Sequence, residues 1–271
     1  FDARSYGLIF GWILTHTMGF WSALKLALAI FKPSLNTVAV SSNGHMHPNS
    51  TLVIENQAGE MTEDGLQLGF SIDEMTDRIQ ALLMSIGLNT SFAPLIYVVG
   101  HGSSSSNNTH YAGYDCGACS GRPGSVNARV ISHIGNHPEV RKIMAERGIH
   151  IPAETQFIGA LHDTSRDEMM YYDLKVLSDV NFAKHNEIKV KFDRALAANA
   201  KERSRRFMSI NTKKSSVKVH EKVKLRTVSL FEPRPELNHA TNTLAVVGRR
   251  DFSKNLFLDR RSFMNSYDYK T

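Results

Sequence analysis

Both cysteines of the chain and one well-placed histidine fall in a single polar, glycine-punctuated stretch. It runs from Gly100-His101-Gly102-Ser103 to Asp115-Cys116-Gly117-Ala118-Cys119. Imidazole and thiolate are the ligand types zinc prefers, and glycines on either side of His101 let backbone and loop approach an ion closely. Taken alone, these residues leave the chemistry open. A lone loop histidine is more often structural than ligating, and a single Cys-x-x-Cys fits half a zinc ribbon or a redox pair equally well. His45 and His47 stand in a turn-rich segment without a neighbouring thiol or carboxylate, and read as surface residues.

The elements that must position His101 are legible around it. Leu95-Ile96-Tyr97-Val98-Val99 is an apolar, β-branched run with the length of a buried strand, and His101 follows it. In open α/β sheets the carboxyl ends of strands face the ligand crevice. Upstream, Ser71-Ile72-Asp73-Glu74 is a capping box, followed by Met75, Ile79, Leu82, Leu83 and Ile86 at helical spacing and by Gly87 as a stop. Downstream, residues 125–134 and 138–147 read as two helices, with Asn136 or His137 capping the second, Pro138 in its first turn and Gly148 ending it.

Residues 155–161 read as a second strand, with His162-Asp163-Thr164 at its carboxyl end. If the two strands are parallel, those three residues share a rim with His101 and can hydrogen-bond to it. The plainer reading is an ordinary strand-end turn. A helix is expected over residues 188–208 and a last strand over 244–247. The pattern predicts the α/β class.

The segment Gly100–Ser103, the pair Asn107-Asn108 and the run Tyr114-Asp115-Cys116-Gly117-Ala118-Cys119 resemble the DabA family. That family is the zinc-bearing subunit of a bacterial inorganic-carbon uptake system, with a site similar to that of β-class carbonic anhydrases. The resemblance continues through Asn127-Ala128-Arg129, Pro138-Glu139-Val140-Arg141, Ala145–Ile149, His162-Asp163-Thr164, Arg234-Pro235-Glu236 and Arg261-Ser262-Phe263. It is weaker before about residue 71 and between about 184 and 226.

It implies a β-carbonic-anhydrase-like core sheet with flanking helices, and zinc held by an upstream Cys-x-Asp, a His and a later Cys. The matching positions are His101 and Cys116. Cys119 is then expected to pack or to support the loop. No cysteine precedes residue 116, so the Cys-x-Asp has no counterpart, although Asp2-Ala3-Arg4 faintly echoes the Asp-x-Arg that follows it in the family. Cys119 and His110 are the substitutes at hand.

The implied chemistry is hydration of CO2 to bicarbonate, since zinc lowers the pKa of bound water toward about 7. The implied partner is a membrane-embedded, cation-conducting DabB-type subunit. The implied location is the cytoplasmic side of the cell inner membrane, as a peripheral protein. Readings of other classes are a Cys-x-x-Cys redox protein and a noncatalytic membrane-docking scaffold.

The 271 residues, 42% of them apolar, suffice for a real core. Two cysteines two residues apart cannot staple a fold, which excludes a disulfide framework and favours a reducing compartment. The chain, beginning at Phe1, is expected to be an internal fragment of a longer protein, incomplete at both ends. Net charge is +6, and the excess is local: about fourteen basic and about four acidic residues lie between Lys184 and Arg226, Arg203, Arg205, Arg206, Lys213 and Lys214 among them. No interleaved aromatic pattern or known module accompanies that charge, so nucleic acid is not an expected partner and a solvated helix face is.

The apolar stretch from Tyr6 to Phe31 reads as one or two buried or membrane-facing helices. His16, its flanking threonines and Lys25 argue against its crossing a bilayer. The expected organisation is an apolar helical lead-in with loops over 1–70, an α/β core carrying the zinc-site loop over 71–183, a basic helical segment over 184–228, and over 229–271 a strand-containing part of the same domain.

Overall fold

The computed structural model describes residues 8–32, 51–56, 59–104, 122–232, 244–256, 258 and 262–266. Cys116, Cys119, His110, His45, His47 and Asp2 lie outside them.

The central unit is a three-stranded mixed sheet. Its strands are β1 (Leu95–Gly102), β2 (Gln156–Asp163) and β3 (Glu168–Tyr171), in the order β1-β2-β3. β1 and β2 are parallel, which requires a crossover, and the chain supplies one in helices α3 (Ser125–Asn136) and α4 (Pro138–Glu146). β3 returns antiparallel after a four-residue turn. The expected α/β class is what the chain adopts.

Strand alternation divides the sheet's contacts between its faces. Ile96, Val98 and Phe157 join Met75, Ile79, Leu83, Ile134, Val140 and Met144 in the main core, under α2 (Ile72–Ser85), α3 and α4. Tyr97 meets His185 and Phe192 of α5 (Asp179–Arg203) through a 2.9 Å bond from its hydroxyl to His185 Nδ1 and an edge contact to the Phe192 ring. A second small cluster, Ala200, Ile210, Val219 and Val223, joins α5 to α6 (Ser216–Val228).

The capping box at Ser71 forms as expected: the Ser71 hydroxyl accepts from the Glu74 amide, and Glu74 accepts from the Ser71 amide. Gly87 follows this helix at φ +71°, the left-handed conformation glycine permits. His137 stands at the α4 N-cap but makes no side-chain cap. Asn136 bonds instead to the amide and carbonyl of Phe157, tying helix to strand.

Three expectations change. Residues 188–208 do not form one helix: α5 begins at Asp179, capped by the Ser178 hydroxyl, and ends at Arg203, where a 3-10 turn takes over. The last strand, β4 (Leu244–Gly248), pairs in parallel with an unforeseen β5 (Ser262–Ser266) as a separate two-stranded sheet. The apolar N-terminal stretch is one continuous helix, α1 (Leu8–Phe31), and it is not buried: Phe20 is 77% and Phe31 82% exposed. Of the two readings, buried or membrane-facing, this exposure fits the second. Gly11–Phe31 is long and apolar enough to cross a membrane, with mean hydropathy 1.3. Three of the polar groups that argue against a bilayer are bonded inside the helix, Thr15 and Thr17 to the carbonyls of Gly11 and Ile13 and His16 Nδ1 to that of Trp12, while the Lys25 ammonium lies 5.9 Å from the Trp21 ring.

Candidate functional site

His101 is the seventh residue of β1, half-buried, and the strand does not end before it as the glycines imply but carries it in register. Its partner across the parallel pair is His162, and Gly102 pairs with Asp163. The condition set by the sequence is therefore met: the strands are parallel, and His162-Asp163-Thr164 do share a rim with His101.

The histidine is held by the third of these residues. Thr164 Oγ1 lies 3.1 Å from His101 Nε2 and 3.1 Å from the Gly102 carbonyl oxygen. A carbonyl only accepts, and a hydroxyl has one proton to give. Thr164 thus donates to Gly102 and accepts from His101, which places a proton on Nε2 and, in the neutral ring, the lone pair on Nδ1. The strand-end turn proves to be a support for the imidazole.

The turn is itself cross-tied to the exit of β1. The Ser103 and Ser165 hydroxyls meet at 2.6 Å. Asp163 is buried and accepts from the Ser104 amide at 3.2 Å, from the Ser104 hydroxyl, and from the amides of Ser165 and Arg166 at 3.1 and 3.3 Å. Burial pushes the Asp163 carboxyl above its ordinary value, against the pull of those donors toward the ionised form.

From the other side, Arg203 at the end of α5 donates to the carbonyls of Thr164 and Ser165 at 2.7 and 2.9 Å and to Asp167 Oδ2 at 2.7 Å. Arg203 is 3% and Asp167 1% exposed, so this is a fully desolvated ion pair, and not the solvated helix face expected of the basic segment. Burial raises the Asp167 carboxyl, but His162, Arg203 and Asn199 outweigh it and hold the group below its ordinary value. His162 Nε2 stands 3.4 Å from Asp167 Oδ1, whereas Asn199 Nδ2 makes a full 2.7 Å bond to the same oxygen. His220 of α6 bonds the Arg166 carbonyl at 2.8 Å. Two helices thus clamp the turn that holds His101.

Gly100 serves a different purpose from the one the sequence proposes. A Cβ there would lie 2.3 Å from the Gly124 carbonyl oxygen, and the Gly124 amide bonds the His101 carbonyl at 2.7 Å. The glycine admits the start of α3, not an ion, against the strand.

The sequence reading missed Asp167 and Arg203, since their pairing spans 36 residues and two elements. Of the two expected zinc ligands, His101 is placed as described and Cys116 lies outside the described residues. Among the described residues no group of three or more His, Cys, Asp or Glu is arranged to hold a metal. His101 therefore fits such a site as one ligand only, and the described residues do not complete it.

A protein-family model described as probable inorganic carbon transporter subunit DabA matches residues 1–271. The chain is 60% identical over 270 residues to the probable inorganic carbon transporter subunit DabA of Azotobacter vinelandii, covering 100% of this chain and 32% of that protein. It is 52% identical over 274 residues to the protein of the same description from Nitrosospira multiformis, covering 100% of this chain and 30% of that one. It is 40% identical over 267 residues to the DabA 2 protein of Rhodopirellula baltica, covering 98% of this chain and 25% of that one. The chain thus spans about a third or less of the length of these relatives. No solved structure matches it.

Proposed function

The chain belongs to the DabA family of probable inorganic carbon transporter subunits, and on that premise we propose that it carries part of a zinc centre that hydrates CO2 to bicarbonate during inorganic carbon uptake. The observation that carries this reading is the mounting of His101: an imidazole near the carboxyl end of a half-buried parallel strand, its Nε2 proton engaged by Thr164. Metal-ligating histidines characteristically donate their other ring N–H to such a partner. His101 and Cys116 are the ligands this chain contributes. No cysteine precedes residue 116, so the family's Cys-x-Asp pair has no counterpart in this chain, and only Cys119 and His110 stand in it as substitutes.

Zinc, when bound, supplies the Lewis acidity that makes water a nucleophile at neutral pH. The chain's own residues orient the imidazole. Thr164 fixes the tautomer, Asp163 and Ser165 hold the turn to the exit of β1, and Arg203 fastens it from α5. The exposed α1, with Thr15, His16 and Thr17 satisfied internally, is the face that docks at the membrane against an embedded DabB-type subunit, on the cytoplasmic side. A carbonic-anhydrase-like core is part of the same reading.

Zinc retention after dialysis against a mild chelator tests the proposal. The isolated chain is expected to lose zinc and to lack hydration activity, because two ligands make a weak site. A complete subunit is expected to keep one zinc and to lose it on His101→Ala or Cys116→Ser but not on Cys119→Ser. Tight zinc in the isolated chain, or greater loss from Cys119→Ser than from Cys116→Ser, overturns the ligand assignment.

Thr164→Val in the complete subunit is expected to weaken zinc about 10- to 100-fold. Competition with a chromophoric chelator measures it. An unchanged affinity would show that the hydroxyl does not orient the ligand.

A further inference from the structure

Toward the opposite end of β2 lies a cavity of about 520 Å³ that the zinc reading does not use. Its lining runs along β2 from Thr155, just before the strand, to Gly159, so its Thr155 end is about 20 Å and its Gly159 end about 10 Å along the strand from His162, the register partner of His101. The cavity is lined by Arg129, Ser132, His133, His137, Arg141 and Thr155, with Lys175 also at its wall.

Its polar groups point to a ligand. Ser132 is 4% exposed and Thr155 fully buried, yet among the described residues neither hydroxyl has a hydrogen-bond partner, and His137 Nδ1 has none either. Buried hydroxyls are costly to leave unsatisfied, and both of these can donate.

The surroundings are positive. The Arg141 guanidinium is held by neutral acceptors, the carbonyls of Gly135, Pro152 and Thr155 and Asn136 Oδ1, at 2.6–3.3 Å. Among the described residues it has no carboxylate counter-ion. The N-terminus of α4 opens at the same wall, with His137 at the N-cap making no side-chain cap, so the positive end of the helix is uncapped by any side chain. Two acids stand at the wall, each against a lining residue: Asp173, which also lines the cavity, takes both Nε and an Nη of Arg129 at 2.7 Å, and Glu55 stands 3.5 Å from His137 Nε2, which leaves Arg141 and Lys175 as the cations not matched by them. Burial, with His137 next, holds His133 below its ordinary pKa, while Asp173 and Glu55 act the other way.

We propose that this cavity binds a small oxyanion, with the Ser132 and Thr155 hydroxyls donating to it and Arg141 and the α4 N-terminus supplying the positive potential. The site is separate from His101 and does not depend on the zinc reading. Trigonal bicarbonate and tetrahedral phosphate share the chemistry the cavity offers, and the two are tested apart.

The experiment is thermal unfolding and isothermal calorimetry of the intact protein, stripped of metal by chelation so that no metal site can bind the anion. Phosphate and bicarbonate are titrated separately against chloride at equal ionic strength. Saturable binding of at least one of them, with a rise in Tm that chloride does not reproduce, is expected, and the tighter one identifies the source. The Ser132→Ala, Thr155→Val double variant is expected to bind at least tenfold more weakly while unfolding at the same or a higher temperature, since it removes hydroxyls that bond nothing in the protein. His101→Ala is expected to bind as the wild type does. No saturable binding of either anion, an effect equalled by chloride, unchanged affinity in the double variant, or loss of binding in His101→Ala would each overturn the proposal.

Discussion

Replacing Asp167 with Ala is expected to cost the fold about 3–5 kcal/mol, because it strands the Arg203 guanidinium in a site with almost no access to water. Against a total stability of about 5–15 kcal/mol for a domain, that is a large fraction. The damage is directed. Arg203 also grips the Thr164 and Ser165 carbonyls, so an unpaired Arg203 disturbs the turn that positions His101. A urea midpoint shift worth less than about 1 kcal/mol would show that the pair is not the clamp described.

The same carboxylate predicts a pH dependence. Its folded pKa is held below the ordinary value, by His162, Arg203 and Asn199 acting against burial, so its contribution is present above the unfolded pKa of about 3.9 and is lost as pH falls through the folded value. Glu168 acts in the same direction: burial raises it, but Arg166 and Lys224 prevail and lower it. Acid destabilisation is therefore expected to set in below about pH 4. It should be shallower in Asp167→Ala, which has already lost one of the two groups. Equal acid slopes in variant and wild type would remove Asp167 from the account.

Gly100→Ala is expected to destabilise by about 3 kcal/mol or more, and Gly102→Ala by about 1 kcal/mol or less, although both glycines flank His101. At Gly100 the new methyl meets backbone, the Gly124 carbonyl oxygen at 2.3 Å and its carbon at 2.4 Å, and neither strand nor helix start can move without breaking the 2.7 Å bond from the Gly124 amide to the His101 carbonyl. At Gly102 it meets a Leu161 methyl at 3.2 Å, which can turn away. Chemical denaturation of the two variants side by side measures the contrast. Similar losses from both would mean that the close approach of β1 to the start of α3 is not what requires glycine at position 100.

The local grammar of this chain was written in its residue order. A capping box needs only Ser71 and Glu74 three residues apart, a strand only a run such as Leu95–Val99, and a helix stop only a glycine able to reach positive φ, so each was readable from neighbours, whereas the full burial expected of that strand is not met: it is half-buried, with Val99 exposed. His101 could be singled out in the same way, from its place just beyond an apolar strand.

What surrounds His101 could not be read so. That β2 runs parallel and brings Thr164 to the imidazole is decided by a crossover of more than fifty residues, and hydrogen bonds across it leave no periodic mark on the sequence. Arg203 shows the same limit most sharply. In the sequence it is one of about fourteen basic residues in a charged run, and only the packing of α5 against the turn after β2 makes it the buried partner of Asp167, while the apolar α1, which composition leaves either buried or membrane-facing, stays exposed. Charge and hydropathy belong to the residue, whereas burial belongs to whatever the rest of the chain brings against it.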